Sequence, residues 1–167
     1  LEIGFGAGAN LPFYGPATRE LIGLEPSPRL IAMSRRVIAR AQKAVTLIEA
    51  GAENIPLDAE SVDSVVMTWT LCSIPDAGAA LAEIRRVLRP AGRLLFVEHG
   101  LASDARVQRW QHRLTPLWKH LAGGCHLDRA MNRLIQDAGF RLARLDTGYM
   151  SGLRPMTYMY EGVALRD

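Results

Sequence analysis

An α/β fold built on a mainly parallel sheet follows from three properties of this sequence. Apolar runs of strand length alternate with helical patterns along the whole chain. The junctions carry the proline, glycine and capping residues that such alternation needs. Three glycines at alternate positions, Gly4, Gly6 and Gly8, follow the first strand directly. They allow the backbone to turn sharply and approach a ligand. Helices on both faces of one sheet are the expected result.

The first strand ends near Ile3, and a helix is expected after the glycines, its first amides aimed at the ligand. Glu20 to Glu25 reads as the second strand, stopped by Pro26. Ser27 then caps a helix whose apolar face holds Leu30, Ile31, Met33, Ser34, Val37 and Ile38. Val45 to Ile48 is a short third strand, and Val62 to Met67 a buried fourth after the turn-like Asp58 to Ser61. Ala77 to Leu88 is helical, with Leu81, Ile84, Val87 and Leu88 on one face, and Pro90 and Gly92 end it.

Leu94 to Val97 is the fifth strand, bounded by Glu98, His99 and Gly100. Asp104 to Leu121 reads as a long helix, and a further one runs from about Leu127 to Ala138, with Gly139 as its C′ residue. Phe140 to Leu145 and Thr157 to Leu165 are the last two strands, a hairpin at the sheet edge. No repeat, low-complexity segment or long linker interrupts the 167 residues, so one domain spans 1–167.

Composition narrows the function classes. The chain is 49% hydrophobic and 22% charged, which excludes disorder. The net charge is +3, and Lys43 and Lys119 are the only lysines. The arginines are dispersed, so the concentrated basic stripe of a nucleic-acid-binding protein is absent. Cys72 and Cys125 form no CxxC motif and no disulfide framework, which suits a reducing, cytoplasmic setting. No apolar run reaches transmembrane length. The chain opens inside its first strand, which places helices and a lid over the site upstream of it.

The chemistry centres on the glycines. Gly4-Phe5-Gly6-Ala7-Gly8-Ala9 satisfies a loose dinucleotide fingerprint, with Glu25 about twenty residues onward as a ribose contact. On that pattern alone a nicotinamide-dependent oxidoreductase stays open, as does a cofactor-binding module without turnover. Glu2, just before the glycines, would repel a pyrophosphate and attract a cationic group. Gly51-Ala52-Glu53-Asn54-Ile55-Pro56 follows the third strand, where a base would lie if its ribose sits on Glu25.

These motifs resemble the class I S-adenosylmethionine-dependent methyltransferases over essentially the whole chain. Glu2, Gly4, Gly6 and Gly8 match the family's first motif, and Glu25 its acidic second-strand residue. Gly51 to Val66 resembles the adenine loop and the strand after it, and Ala82 to Gly100 the helix, turn and fifth strand. Thr68 to Asp76 and Thr115 to Arg129 are similar to the animal methyltransferase-like proteins that methylate alkyl thiols. Asn10 to Tyr14 (NLPFY) resembles bacterial phosphatidylethanolamine N-methyltransferases. Gly51 stands where the quinone-type members often carry Asp, which leaves the backbone at Ala52 and Glu53 to meet the adenine.

The resemblance implies a Rossmann-like sheet of seven strands, the last antiparallel, and S-adenosyl-L-methionine as cofactor. Its implied cofactor contacts are Glu2, Gly4, Gly6, Gly8, Asn10, Leu11, Glu25, Pro26, Ala52, Glu53, Thr68 and Trp69. The implied reaction is methyl transfer to a small, rather apolar acceptor: a thiol, or alternatively a phospholipid amine or quinone-like ring.

Strand carboxyl ends face the ligand crevice in such sheets. That places Thr68, Trp69, Thr70 and Leu71 near the reacting methyl and turns Glu98 and His99 toward the acceptor. His99 is the candidate general base, since imidazole titrates near neutrality. Cys72, Trp118 and Cys125 are candidate walls of the acceptor pocket. Cys72, His99, Cys125 and His126 carry zinc-ligand chemistry, but their spacing fits no common closed site, so no metal is expected. Between Val107 and Leu121, Trp110, Leu114, Leu117 and Trp118 mix with Arg109, His112, Arg113, Lys119 and His120. That segment reads as a sheet-packed helix with a basic solvent face, or as an amphipathic cover that touches a membrane peripherally. Oligomeric state leaves no mark on the sequence.

Overall fold

A computed structural model of the chain describes residues 1–41 and 43–166. Seven strands are ordered β3-β2-β1-β4-β5-β7-β6. In chain order they are β1 (Glu2–Ile3), β2 (Glu20–Leu24), β3 (Ala44–Ile48), β4 (Val62–Thr68), β5 (Leu88–His99), β6 (Phe140–Tyr149) and β7 (Tyr158–Arg166). The helices are α1 (Pro28–Ile38), α2 (Ala77–Val87), α3 (Ala105–Leu121) and α4 (Met131–Asp137). The first five strands pair in parallel, whereas β7 runs antiparallel to both β5 and β6. The last strand is thus the antiparallel one, as expected, and it lies inside the sheet with β6 at the edge.

Register and side-chain alternation divide the core between two faces. Ile3 pairs with Met67, and Met67 with Phe96, so these side chains share a face. Leu81 and Ile84 of α2 and Met131 and Ile135 of α4 pack against it. Full burial of side chains such as Met67 and Phe96 contributes about 1.5–3 kcal/mol each. On the opposite face Leu21 packs with Phe5 and Leu11, and Ile38 at the end of α1 leans on that cluster. Val66, Leu95 and Val163, in register on the same side, are half-buried.

Ser27 caps α1 as expected, its Oγ accepting from the Leu30 amide, and Asp76 caps α2, its Oδ1 accepting from the Ala79 amide. Gly139 ends α4 at φ +84°. Five segments differ from expectation. The glycines lead into a three-residue 3-10 helix, Leu11–Phe13 with Pro12 at its start, and no α-helix. Helix α2 passes straight into β5: Leu88 already pairs with Val62, and the register breaks before resuming at Arg93 and Ser64. Pro90 and Gly92 therefore sit in a break within the strand rather than at the helix end. Helix α4 starts at Met131, because the preceding segment turns at Leu127 and Asp128 and is pinned there by Leu127, which is fully buried, and by Arg129. Strand β6 runs on to Tyr149.

Helix α3 is the fifth departure. It buries Val107, Gln111 and Thr115, while Trp110, Leu117 and Leu121 are exposed. Its anchor is polar. Gln111 accepts from the Ala102 amide and donates to the carbonyls of Gly100 and Pro155. No helix among the described residues is long and apolar enough to cross a membrane.

Candidate cofactor site

The carboxyl ends of β1, β2, β3 and β4 surround a cavity of about 390 Å³, within the range of small-ligand sites. A larger hollow of about 780 Å³ lies at the opposite strand ends, beside Leu1, Glu20 and Val62. Open α/β sheets bind ligands beyond the carboxyl ends of their strands, and the glycine turn is there too. The smaller cavity is the candidate site.

Gly4 starts the turn at φ +71°, and a Cβ there would stand 2.3 Å from Thr70 Oγ1. Both the left-handed backbone and the close pass of Thr70 require glycine. At Gly6 a Cβ would meet only the Gly4 carbonyl, at 3.8 Å. That position faces open space, and any side chain would fill room a ligand needs. The Gly6 amide donates to Glu25 Oε2 and the Ser27 amide to Oε1, each at 2.9 Å. Glu25 therefore braces the turn from the end of β2, and each carboxylate oxygen keeps a lone pair for a ligand.

Across the cavity, Glu53 Oε2 lies 2.9 Å from where a Gly51 Cβ would project. The Glu53 carboxylate thus occupies the place of a side chain at 51. Thr68 and Trp69 close the wall at the end of β4. No Lys, Arg or His is among the described residues lining this cavity.

Gly4, Gly6, Glu25, Pro26, Ala52, Glu53, Thr68 and Trp69, among the contacts the resemblance implies, all line this cavity. Glu2, Gly8, Asn10 and Leu11 are not among its lining residues. Glu2 is 1% exposed and accepts from Asn10 Nδ2 at 2.9 Å and from the Tyr14 hydroxyl at 2.8 Å. It is a brace behind the wall, and the direct partner of a cationic ligand end must be sought elsewhere. Burial raises the Glu2 carboxyl, with Tyr14 and Asn10 opposing. Asn10 also donates to Thr68 Oγ1 at 2.8 Å, which ties the glycine turn to β4. Gly8 packs beneath the Phe5 ring, and Leu11 joins Phe5 and Leu21 in the apolar cluster. Sequence reasoning missed Leu30, Ser73, Ile74, Pro75 and Gly123, which also line the cavity. Ser73 to Pro75 directly follow the predicted site loop, whereas Gly123 arrives from beyond α3 without any local signal.

The loop after β4 is gripped from two sides. Glu98 accepts from the amides of Thr70, Leu71 and Cys72 at 2.8, 3.0 and 3.3 Å. Arg129 donates to the carbonyls of Leu71, Ile74 and Pro75 at 2.6, 2.7 and 3.2 Å. Glu98 is fully buried, and that burial pushes its carboxyl up to about 8 despite the amides. It holds the loop and does not face an acceptor, contrary to expectation. Leu71 is likewise a core residue, with no exposed surface.

His99 is buried too, its ring stacked on Trp69 at 6.1 Å between centroids and 20° between planes. Trp69 lines the cavity and is 51% exposed, at the left-handed φ of +55°. As a general base His99 would be screened by that indole. His99 Nδ1 lies 3.4 Å from Cys125 Sγ, while His99 Nε2 and Trp118 Nε1 are buried without a hydrogen-bond partner among the described residues. The Cys72 thiol is pushed up to about 12, first by its hydrogen bond with Cys125 and then by burial. The same bond holds the Cys125 thiol below its ordinary value. Although their spacing argues against a metal site, the fold gathers Cys72, His99 and Cys125 so that their donor atoms lie within 4.8 Å of one another. His126 stands apart from them, its Nδ1 3.9 Å from Asp128.

A family model described as "Methyltransferase domain" matches residues 1–96, more than half the chain. The chain belongs to the methyltransferase domain family. It is 36% identical over 150 residues to thiol S-methyltransferase TMT1B of Rattus norvegicus, covering 87% of this chain and 61% of that protein. Thiol S-methyltransferase TMT1A of Homo sapiens is 36% identical over 149 residues, covering 87% and 61%. The chain thus spans less than two thirds of the length of these relatives. A solved SAM-dependent methyltransferase structure from Methanosarcina mazei superposes with a TM-score of 0.77 at 19% identity, covering 99% of this chain and 90% of that one. That likeness establishes the fold.

Proposed function

We propose that this domain is an S-adenosylmethionine-dependent methyltransferase acting on a small, rather apolar acceptor, a thiol in the first instance. The observation that carries the cofactor assignment is the charge of the cavity: Glu25 and Glu53 line it, and no cationic side chain among the described residues does. A pyrophosphate would meet repulsion there. It would also find no α-helix N-terminus directly after the glycines, only the short 3-10 turn Leu11–Phe13, and the Gly6 amide is already engaged by Glu25. A ligand with a ribose, a cationic end and no phosphate suits the same walls, and the open space at Gly6 gives it room. A nicotinamide dinucleotide does not.

Glu25 is suited to accept from the ribose hydroxyls, and Glu53, folded over Gly51, from the adenine amine. The bound cofactor supplies a methyl group on a sulfonium, so the protein's work is placement and exclusion of water. Thr68 and Trp69 form the wall where the acceptor approaches. A thiol, partly ionised near neutrality, needs little help from a base, which agrees with the seclusion of His99. The likeness to thiol S-methyltransferases supports that choice of acceptor. Exposed Trp110, Leu117 and Leu121, set among Arg109, Arg113 and Lys119, suit peripheral contact with an anionic membrane; flotation with anionic vesicles tests it.

The deciding experiment is a methyl-acceptor screen with isotopically labelled cofactor across alkyl thiols, phosphatidylethanolamine and quinols. Label in the thiol fraction supports the assignment, and label only in a lipid or quinol replaces the acceptor. Thermal protection by NAD without protection by S-adenosylhomocysteine would overturn the cofactor.

A further inference from the structure

Three soft donor groups come together in the core, beside the loop that Glu98 and Arg129 hold. Cys72 lies in the loop after β4, His99 at the end of β5 and Cys125 in the turn after α3. They are 2%, 3% and 9% exposed. As a plain hydrogen-bonded group they stabilise little. The Cys125–His99 contact is 3.4 Å long, thiols are weak donors, and burying an imidazole with an unpaired nitrogen costs free energy.

As metal ligands the same atoms fit. Zinc bonds of about 2.3 Å to sulfur and 2.0–2.1 Å to nitrogen at tetrahedral angles put donor atoms about 3.5 to 3.8 Å apart. The observed donor atoms lie within 4.8 Å of one another, so closing on an ion needs inward shifts of at most about 1 Å. The scaffold is already rigid. Glu98 accepts from the Cys72 amide, and the His126 amide donates to the Cys72 carbonyl at 2.8 Å, tying the two cysteine segments together.

We propose that Cys72, His99 and Cys125 form a three-ligand site for a zinc-class divalent ion, with its fourth position open toward the cofactor cavity. Each ligand adjoins a residue of that cavity: Ser73 follows Cys72, Trp69 stacks on His99, and Gly123 precedes Cys125 by two residues. Three protein ligands and one open position is the arrangement of a reactive zinc site rather than a closed structural one. The class of ligand that suits the open position, resting on the thiol reading above, is the acceptor thiol. On binding, its S–H bond breaks, the proton passes to solvent, and the sulfur is held on the metal as a thiolate.

Cobalt titration of the reduced full chain tests the site without any need for turnover. The expected result is one Co²⁺ per chain, with a sulfur-to-cobalt charge-transfer band and tetrahedral d–d bands that Zn²⁺ displaces. Cys72→Ser and Cys125→Ser each diminish the charge-transfer band, and His99→Ala weakens the metal by at least about tenfold. His126→Ala leaves it unchanged. Circular dichroism and S-adenosylhomocysteine binding certify that each variant is folded. Absence of the band in wild type at equimolar cobalt, or its survival at full strength in both cysteine variants, overturns the site. Butanethiol added to the cobalt protein should raise the charge-transfer band, and an unchanged spectrum overturns the open position for sulfur. If cobalt binds while the acceptor screen yields no methylated thiol, the metal site stands and the thiol assignment falls.

Discussion

Glu98 and Arg129 hold the same loop by opposite polarities, Glu98 through the amide N–H groups of Thr70 to Cys72 and Arg129 through the carbonyls of Leu71, Ile74 and Pro75. Two polar side chains from distant parts of the chain thereby fix the loop that lines the cofactor cavity through Thr70 and Ser73 to Pro75 and carries Cys72 of the cysteine–histidine cluster. Arg129→Ala removes charge-assisted donors from three carbonyls and should lower stability by about 2 kcal/mol. Arg129→Lys should recover only part of that, because an ammonium lacks the planar fork. Urea unfolding gives the ranking, and equal stability of the three proteins would show that solvent replaces Arg129 at no cost.

Gly4 tests the close pass beneath Thr70. Gly4→Ala adds a methyl 2.3 Å from Thr70 Oγ1 at a φ of +71°, and should destabilise by about 1–3 kcal/mol. Pairing it with Thr70→Ala should return the steric part and leave the backbone part. A double-mutant cycle on thermal unfolding reads the split, and strict additivity would remove the contact.

Glu25→Ala should weaken S-adenosylhomocysteine by more than about 1 kcal/mol, the scale of a charge-assisted hydrogen bond. The Gly6 and Ser27 amides lose their acceptor in the same variant, so the glycine turn should loosen as well. Calorimetry measures the first effect and amide exchange at Gly6 the second. Unaltered affinity would take Glu25 out of the ribose role.

Glu2 makes stability depend on pH in a direction opposite to that of a salt-bridged acid. Its pKa in the folded state is raised above 4.5, chiefly by burial. The folded state therefore holds the Glu2 proton more tightly than the unfolded state does. Its contribution to stability is largest below the ordinary carboxylate value and declines as pH rises through the raised one. Glu2→Gln should remove that decline while keeping an acceptor for Asn10 or Tyr14. Melting temperatures of both proteins across an acid-to-neutral series check it; parallel curves would show that Glu2 carries no such linkage.

Much of the sheet was legible because β2 and β4 are apolar runs with clear stops, and Ser27 and Gly139 mark helix ends by their own chemistry. Where burial leaves no pattern the boundaries slipped. The outer residues of β6, among them Arg144, Asp146 and Thr147, are exposed at the sheet edge and carry no strand alternation beyond Leu145. Helix α3 misled by composition, since its docking face is Val107, Gln111 and Thr115 while Trp110, Leu117 and Leu121 point to solvent. The cavity wall was readable because Gly4, Gly6, Glu25 and Glu53 each follow a strand end. Glu98 and Arg129, by contrast, act on backbone atoms remote in sequence, and no local motif announces such a partner. The cysteine–histidine cluster is hidden for the same reason: three elements of the fold must close before it exists.

Trp69 has an optical consequence. Of the chain's three tryptophans, it alone is among the described residues lining the cavity, with half its surface open there. Its emission therefore responds to whatever enters. The protein carries its own fluorescent gauge of cavity occupancy, which Trp69→Phe would silence, and cofactor and acceptor binding can be followed in real time without a label.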